Sequence, residues 1–428
     1  MSEPLRLGIA GLGTVGTGLL KIVQTHPDLL AARAGRPLAI SAVSARSRGK
    51  NRGVDLSDYD WEDDPVALAR RDDVDVFLEL MGGENGPAKA AVEAALASGK
   101  HVVTANKAML AIHGQAMAEA AEAAGVALRF EAAVAGGIPC VKALAEGLAG
   151  NRITRVMGVM NGTCNYILTR MAKAHLTYNE VFEEAHALGY LEADPTLDVG
   201  GIDAGHKLAL LASIAFGTRV AFDAVQLEGI DRVSIADIEQ ARDMGYRIKL
   251  LGVAQMTGRG LEQRMQPCLV PAKSPLGQLD NAMNMIVLEG DAVGQIVLRG
   301  AGAGEGPTAS AVIADVMDIA RGAVLPTFGQ PASTLAAAPP ACSAAPAPYY
   351  LRLMLQDKPG ALAKIATALG DAGVSINRMR QYGHDDIAAP VLIVTHTTSP
   401  DALAHALAGI EATGTLVDPP VALRIEEV

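Results

Sequence analysis

The glycine-rich segment GLGTVG, residues 11–16, limits the fold of this chain more than any other part of the sequence. It follows a short apolar run, LRLGIA, and precedes an apolar-periodic stretch, TGLLKIV, so the three pieces predict a strand, a tight turn and a helix. Glycines in such a turn allow a sharp bend and let a pyrophosphate approach the backbone. We interpret the turn as a dinucleotide-binding site, and a turn used only for packing is the less favoured alternative. The predicted cofactor contacts here are Gly11, Gly13, Thr14, Val15 and Gly16.

Strand and helix patterns alternate through the first 135 residues. Further strand candidates are 38–45, 74–80, 101–105 and 126–134. Strands that alternate with helices predict a parallel, doubly wound, Rossmann-type sheet, so the expected fold class is α/β. An amphipathic helix predicted at 307–322 is expected to return to the same sheet. We therefore assign residues 1–135, with about 305–325, to an NAD(P)-binding domain.

The remainder of the chain has a different pattern. Residues 136–304 combine long helical stretches with strands that lack crossover helices, which predicts an α+β domain for substrate binding and dimerisation. Residues 326–348 are rich in Pro and Ala and predict a linker. Residues 349–428 have the order βαββαβ, which predicts a ferredoxin-like domain.

The composition argues against several classes of protein. A formal net charge of -11 and an aromatic content of 4% do not fit a nucleic-acid binder, which needs a basic face and stacking rings. The four cysteines lack the close spacing of a zinc site or a disulfide framework. No secretory signal is recognisable, and the longest apolar run, 208–217, is about half as long as a membrane span. We therefore expect a cytoplasmic protein with neither nucleic acid nor membrane as a partner.

A basic segment, residues 44–50, follows the second predicted strand, where one residue selects between the two nicotinamide dinucleotides. A carboxylate at this point binds the ribose hydroxyls of NAD, whereas a basic residue accommodates the 2′-phosphate of NADP. The hypothesis is that Arg46 contacts this phosphate, so that NADP is accepted at least as well as NAD. A solvated basic loop explains the same residues almost as well.

Three residues are candidates for catalysis. Lys107 directly follows the strand at 101–105, at the edge of the sheet where ligands bind in open α/β folds. In a helix predicted to begin near Gly201, Asp203 and Lys207 have i,i+4 spacing and share their face with apolar residues. A lysine in a partly desolvated cleft can donate or accept a proton near neutral pH. Surface cations and surface ion pairs are the common alternatives for these residues.

The segment EAAVAGGIP at 131–139 contains small residues and one acid after a predicted strand. Exposed carbonyl groups in such a bend, together with a carboxylate, suit a hard monovalent cation. A plain tight turn is the default interpretation of the composition.

With these segments in place, essentially all 428 residues resemble the monofunctional homoserine dehydrogenases that carry a C-terminal ACT domain. The segments that carry the resemblance include GLGTVG, TANKAML, NGTCNYIL and, most specifically, ALGYLEADPTLDVGGIDAGHK at 187–207. The resemblance implies reversible hydride transfer between NAD(P)H and L-aspartate 4-semialdehyde. The product would be L-homoserine, on the path to threonine and methionine.

The resemblance also implies roles for individual residues. Lys207 matches the proton donor of the family, with Asp203 beside it and Lys107 at the cofactor and substrate cleft. The implied substrate contacts are Thr163, Gly189, Glu192, Asp198 and Asp203. Gly306 matches a cofactor contact. The implied sodium site is formed by Glu131, Val134, Gly136 and Ile138, mostly through backbone oxygens.

The C-terminal unit resembles ACT domains, which bind amino acids at a domain interface. On this basis the effector contacts are Asp357, Gly360 and Asn377, and the expected effector is L-threonine acting by feedback inhibition. A dimerisation module without a ligand is the alternative. The resemblance further implies a homodimer or homotetramer.

Two other functions remain open from the sequence. A Rossmann-type oxidoreductase acting on another amino-acid-like carbonyl would share the first 150 residues but has no reason to contain the segment at 187–207. A catalytically inactive amino-acid sensor would have degenerate acid and base positions, whereas the acidic residues and both lysines are present here. Oxidation of homoserine with either cofactor distinguishes the three functions.

Overall fold

The computed structural model describes residues 3–191, 194–341, 343–381 and 388–427. The first part of the chain forms a six-stranded sheet in which every strand pair is parallel. Its strands are β1 (Leu5–Ala10), β2 (Leu38–Ser44), β3 (Asp60–Trp61), β4 (Val76–Glu79), β5 (His101–Thr104) and β6 (Leu128–Arg129). The helices between them are α1 (Thr14–Thr25), α2 (Pro27–Ala34), α3 (Pro65–Arg70), α4 (Pro87–Ala97) and α5 (Lys107–Ala124).

The strand order of this sheet is β3-β2-β1-β4-β5-β6. The order changes direction between β1 and β4, so a crevice forms outside the carboxyl ends of these two strands. Alternate residues of β4 pack on opposite sides, since Val76 and Leu78 contact one apolar cluster and Phe77 the other. The predicted doubly wound α/β sheet is therefore confirmed.

One predicted strand is much shorter than expected. Of residues 126–134, only β6 belongs to the sheet, and Glu131–Ala133 form a short 3-10 turn instead. The backbone N–H of Glu131 donates to a carboxylate oxygen of Asp315 at 2.8 Å, so it is not available to a neighbouring strand. The prediction of a strand beyond Arg129 was therefore wrong. The carboxylate that binds this N–H lies on a helix 184 residues further along the chain, so the local sequence gives no sign of it.

The middle of the chain forms a sheet in which β12-β11-β7-β9-β10 pair in antiparallel fashion, while the short β8 pairs in parallel with β10. Its strands are β7 (Ile153–Val159), β8 (Gln226–Leu227), β9 (Tyr246–Thr257), β10 (Gly260–Pro271), β11 (Met283–Gly290) and β12 (Gly294–Ala301). The helices are α6 (Cys140–Lys142), α7 (Gly162–Ala174), α8 (Tyr178–Ala187), α9 (Thr196–Val199), α10 (Ile202–Phe216) and α11 (Ile235–Asp243). The helix expected near Gly201 is thus α10.

The next helix, α12 (Glu305–Ala320), returns to the parallel sheet as predicted. Its apolar residues Val312 and Val316 are fully buried in the same cluster as Leu19 of α1. The two helices approach each other closely at Gly18: a Cβ atom at this position would lie only 3.2 Å from the Cβ of Ala309. This return places the start of α12 beside the glycine turn.

The C-terminal unit has the predicted order βαββαβ. Its elements are β13 (Tyr349–Gln356), α13 (Ala361–Asp371), β14 (Ile376–Gln381), β15 (Ala388–Thr395), α14 (Pro400–Ala412) and β16 (Val421–Ile425). Strand β16 pairs in parallel with β10, with Cys268 opposite Arg424. This pairing joins the C-terminal strands and the middle strands into one ten-stranded sheet.

The segment between α12 and β13 lies along the body of the molecule. Phe328 is buried, with its ring centroid 5.5 Å from that of Phe130, and Ala336 forms an isolated bridge with Thr218.

Of the helices in the described part of the chain, none combines the length and apolar character needed to cross a membrane.

Candidate active site

A cleft of about 690 Å³ opens at the carboxyl edge of the parallel sheet. Its walls are the first residues of α1, the start of α5, the bend at 132–136, the starts of α7 and α10, and the segment before α12. It brings together nine of the residues proposed from the sequence, namely Thr14, Val15, Lys107, Gly136, Thr163, Gly189, Asp198, Asp203 and Lys207.

The glycine turn has the geometry that a dinucleotide requires. Gly11 has a φ of +105°, and a Cβ atom there would lie 2.4 Å from the backbone of Leu80. A Cβ atom at Gly16 would lie 2.0 Å from the carbonyl oxygen of Gly11, whereas one at Gly13 would meet no atom within 4 Å. The open space at Gly13 lies before the first turn of α1, where backbone N–H groups favour an anion. These residues therefore fit a bound pyrophosphate.

The basic loop after β2 is organised by a residue that the sequence analysis missed. Arg46 is exposed immediately beyond the strand. Arg52 donates hydrogen bonds to the carbonyl oxygens of Leu12 (3.2 Å) and Ser47 (2.6 Å), and its guanidinium carbon lies 5.6 Å from the ring centroid of Trp61. Arg52 thus fixes this loop to the glycine turn. Its position in a loop with no periodicity gave no signal in the sequence.

Asp203 joins two lysines in the floor of the cleft. One carboxylate oxygen lies 2.9 Å from Nζ of Lys107, and the other accepts a hydrogen bond from Nζ of Lys207 at 2.7 Å. The ammonium of Lys207 also donates to the carbonyl oxygen of Met160 at 2.9 Å. Lys107 is the first residue of α5, so two elements that are far apart in sequence converge on one carboxylate.

The charge of Asp203 is stabilised by its neighbours. Burial alone would raise the pKa of this carboxyl group, but the positive charges of Lys207 and Lys107 outweigh that effect and hold it well below its usual value. The carboxylate therefore stays ionised at neutral pH. An ionised Asp203 orients the ammonium of Lys207, which lines the cleft, so the arrangement can deliver a proton to a substrate oxygen.

Asn161 connects the acidic residues and was also missed from the sequence. Its side-chain amide donates to Asp198 at 2.9 Å and to Asp203 at 3.2 Å. Its side-chain oxygen accepts from the backbone N–H of Cys164 at 2.8 Å and so caps α7. An asparagine directly before a helix is a capping signal, which could have identified the cap but not the bridge between the carboxylates.

Two of the predicted substrate residues, Thr163 and Gly189, lie on the wall of the cleft formed by α7 and the loop after α8. The hydroxyl of Thr163 donates to the carbonyl oxygen of Tyr190 at 2.8 Å, and Asp198 is buried beneath the opening. Gly189 lines the same wall. Glu192 lies outside the described residues.

The bend proposed as a cation site forms part of the wall of the cleft, through Ala132, Ala133, Ala135 and Gly136. Burial raises the pKa of Glu131 to about 7, although its carboxylate accepts backbone hydrogen bonds from Val141 and Lys142. The backbone oxygens of Val134 and Ile138 both accept from Cys140, through Sγ at 3.6 Å and N–H at 2.8 Å respectively. Among the described residues, no three His, Cys, Asp or Glu side chains are grouped as metal ligands. Any cation here would therefore depend on backbone oxygens, including that of Gly136.

The other predicted contacts lie outside the cleft. Gly306 is exposed in the first turn of α12, between Gly304 and Thr308, which do line the cleft. In the C-terminal unit, Gly360 caps α13 with a φ of +86°. Asp357 is exposed in the preceding loop, and Asn377 lies where the pairing of β14 with β15 is irregular.

Family models match most of the chain. Residues 11–131 match the homoserine dehydrogenase NAD-binding domain, residues 139–317 match homoserine dehydrogenase, and residues 349–413 match the ACT domain. The parallel sheet, the middle sheet and the C-terminal unit each correspond to one of these models.

Individual homoserine dehydrogenases are similar over the full length. The protein from Neisseria gonorrhoeae is 43% identical over 434 residues, covering 100% of this chain and 99% of the relative. The crystal structure of a homoserine dehydrogenase from Thiobacillus denitrificans has a TM-score of 0.93 at 40% identity, covering 99% of this chain and 98% of that one. A hyperthermophilic archaeal homoserine dehydrogenase in complex with NADPH covers 74% of this chain and 97% of its own, with a TM-score of 0.63 at 25% identity. The chain therefore belongs to the homoserine dehydrogenase family and is an NAD(P)-dependent oxidoreductase.

Proposed function

We propose that this chain catalyses the reversible NAD(P)H-dependent reduction of L-aspartate 4-semialdehyde to L-homoserine, with Lys207 as the proton donor. The observation that carries the assignment is the pairing of Asp203 with both Lys107 and Lys207 in the cleft beside the glycine turn. When bound, the nicotinamide supplies the hydride. The protein must then protonate the oxygen that gains negative charge, and an ammonium group does this while its charge stabilises the transition state.

The acidic side of the cleft fits the amino-acid end of this substrate. Asp198 is buried, accepts a hydrogen bond from the amide of Asn161, and lines the cleft together with Thr163 and Gly189. A carboxylate in this position attracts the substrate ammonium group, and we propose the same role for Glu192. Lys107 can contact either the cofactor or the substrate from the opposite wall.

For the cofactor, we propose that NADP is used at least as well as NAD. The support is the exposed Arg46 at the end of β2, in a loop that Arg52 fixes to the glycine turn, and the NADPH bound to the archaeal relative. An Arg46→Ala variant is expected to bind NADPH more weakly while its affinity for NADH stays the same. Equal affinity for NADPH in the variant and the wild type would contradict this assignment.

Three further features remain proposals for this chain. A sodium ion would be bound by backbone oxygens of the bend at 131–138, where Gly136 has a φ of +52°. L-threonine would act as a feedback inhibitor through the ACT domain, in a pathway leading to threonine and methionine, with Asp357, Gly360 and Asn377 as contacts. A cytoplasmic homodimer or homotetramer is the expected form of the enzyme.

The experiment that tests the main proposal is oxidation of L-homoserine by the purified chain, followed at 340 nm with NADP or NAD and with or without L-threonine. Activity that threonine suppresses is the expected result. Activity that is insensitive to threonine would leave the ACT domain as an assembly module or as a sensor of another molecule. No activity with either cofactor would overturn the catalytic proposal in favour of a catalytically inactive sensor.

A further inference from the structure

A second cavity, of about 240 Å³, lies between α7, α11 and β9. It shares no lining residue with the catalytic cleft. Its charged lining consists of four basic residues and one acidic residue, namely Lys173, Arg242, Arg247, Lys249 and Asp280. We call this cavity the cationic pocket.

The charges of the cationic pocket do not cancel. Nζ of Lys173 lies 2.8 Å from the carboxylate of Asp280, at the exposed rim. Another acid in this region, Glu239, lies 2.8 Å from Nδ1 of His175 at the end of α7. Within the described parts of the chain, no ion pair joins Arg242, Arg247 or Lys249 to a carboxylate. Three positive charges in one small cavity are therefore left without a bonded counter-charge.

Lys249 forms the floor of the pocket and is only 3% exposed. Its ammonium donates to the side-chain oxygen of Asn165 at 2.9 Å and to the carbonyl oxygen of Leu279, both of which are neutral acceptors. Burial lowers the pKa of Lys249 to about 8 despite the more distant charge of Asp280. A buried cation without a counter-ion is costly, so an anion in the cavity would relieve an existing penalty.

The guanidinium of Arg247 is a second feature of the pocket that favours an anion. Nη1 of its guanidinium is buried and has no hydrogen-bond partner among the described residues. Residues 247 and 249 have i,i+2 spacing in β9, so both side chains lie on the same face of the strand. An unsatisfied buried donor beside a buried ammonium is an arrangement that suits an acceptor with several oxygens.

We propose that the cationic pocket is a binding site for a small oxyanion with the size and charge of inorganic phosphate, held by Lys249, Arg247 and Arg242. A guanidinium can donate two parallel hydrogen bonds to such an anion, and the buried ammonium donates a third. The three uncompensated cations favour a dianion over a single carboxylate.

The position of the pocket suggests what the anion stabilises. Asp237 of α11 forms an ion pair with Arg352 of β13, and Gln240 of the same helix accepts a hydrogen bond at 3.1 Å from the hydroxyl of Tyr350. On the other side, Lys249 contacts Asn165 of α7, whose first turn lines the catalytic cleft. An anion in the pocket would therefore hold together helices that contact the ACT domain and the cleft.

The test is calorimetric titration of the full chain with sodium phosphate, against sodium chloride at matched ionic strength. Saturable binding of phosphate is expected, with a rise in melting temperature because the ligand binds only the folded state. The dissociation constant should be at least tenfold higher in Arg247→Gln and in Lys249→Met. Arg259→Gln, at an exposed arginine in the turn between β9 and β10, is the matched control and should bind as the wild type does.

Controls separate this site from the dinucleotide site, which also has affinity for phosphate groups. The titration is repeated with saturating NADP⁺, which should leave binding in the cationic pocket unchanged. Phosphate binding that persists in Arg247→Gln but disappears with NADP⁺ would place the anion in the cleft and overturn the proposal. Absence of phosphate-specific heat would also overturn it. Homoserine oxidation by Arg247→Gln should match the wild type, so the pocket and the catalytic proposal can fail separately.

Discussion

Lys207 and Lys249 are both almost completely buried, at 8% and 3% exposure, but they have different partners. Lys207 donates to the carboxylate of Asp203, whereas the acceptors that Lys249 has among the described residues are the neutral oxygens of Asn165 and Leu279. A carboxylate partner stabilises the ammonium form of a buried lysine, and burial without such a partner disfavours it. The comparison indicates that the counter-charge, more than the depth of burial, distinguishes a lysine suited to proton donation from one suited to holding an anion.

The largest expected effect comes from removing Lys207, one of the two lysines that are paired with Asp203. Lys207→Met should lower kcat for homoserine oxidation by about 10²–10⁴-fold, which is the usual contribution of a positioned acid or base. Binding of the dinucleotide should be nearly unchanged, because the glycine turn is a separate wall of the cleft. The measurement is steady-state kinetics together with fluorescence titration of NADPH.

The control for this variant is a second lysine with the same local spacing. Lys89 forms an i,i+4 ion pair with Glu93 at 2.6 Å on the surface of α4. Lys89→Met should therefore keep the wild-type kcat. If Lys207→Met also kept it, Lys207 would be a structural lysine like Lys89, and the proton donor would have to be sought elsewhere in the cleft.

The second prediction concerns the pH dependence of stability at Lys249. Its pKa is lowered from 10.5 to about 8 in the folded state, so between these values the unfolded chain binds more protons than the folded chain. The contribution of Lys249 to stability therefore rises with pH over this interval. It is constant from about one unit below pH 8 downwards, where the lysine is charged in both states and the full burial penalty of roughly 3 kcal/mol applies.

The measurement is the free energy of unfolding in urea from pH 7 to pH 10.5, in phosphate-free buffer, for the wild type and Lys249→Met. The difference between the two proteins should shift in favour of the wild type as the pH rises above 8. Subtracting the variant removes the effects of all other titrating groups. A pH-independent difference would mean that the ammonium of Lys249 is as stable in the fold as in water.

The same two lysines show how far the sequence could predict the site. Periodicity placed Asp203 and Lys207 on one face of a helix, and the structure has that pair in α10. The contact of Asp203 with Lys107 has no local pattern, because it joins the starts of two helices almost 100 residues apart. The spacing of residues 247 and 249 could have indicated a shared face in β9. The other lining residues of the cationic pocket come from α7, α11 and a loop. The pocket therefore forms only when these elements pack together, which no local pattern shows.

The fold itself was predictable where local patterns determine it. The glycine-rich turn and the alternation of strand and helix patterns predicted the parallel sheet, and the βαββαβ order predicted the C-terminal unit. The pairing of β16 with β10 was not predicted, because the choice of neighbour at a strand edge leaves no periodic signal. Nearby, Glu426 forms ion pairs with Arg155, Arg264 and Arg424, from three different strands or strand ends. Such a junction is evident only once the strands are in place.

The smallest expected effect comes from changing Asn161, which removes a hydrogen bond that positions Asp203 but keeps both of its lysine partners. Asn161→Ser keeps a side-chain oxygen to cap α7 but removes the amide that bridges Asp198 and Asp203. Because a hydrogen bond to a charged group contributes about 1.5–3 kcal/mol, kcat/KM for homoserine should fall by about 10- to 100-fold. The KM for NADP should stay constant, which a general loss of structure would not allow.

The control is Asp64→Ser at the N-cap of α3, where Asp64 accepts from the N–H of Val66. It changes a helix cap away from the cleft and should leave the kinetics unchanged. Unchanged kinetics in Asn161→Ser would show that the two lysines alone hold Asp203 in place, and that a buried carboxylate needs only its counter-charges.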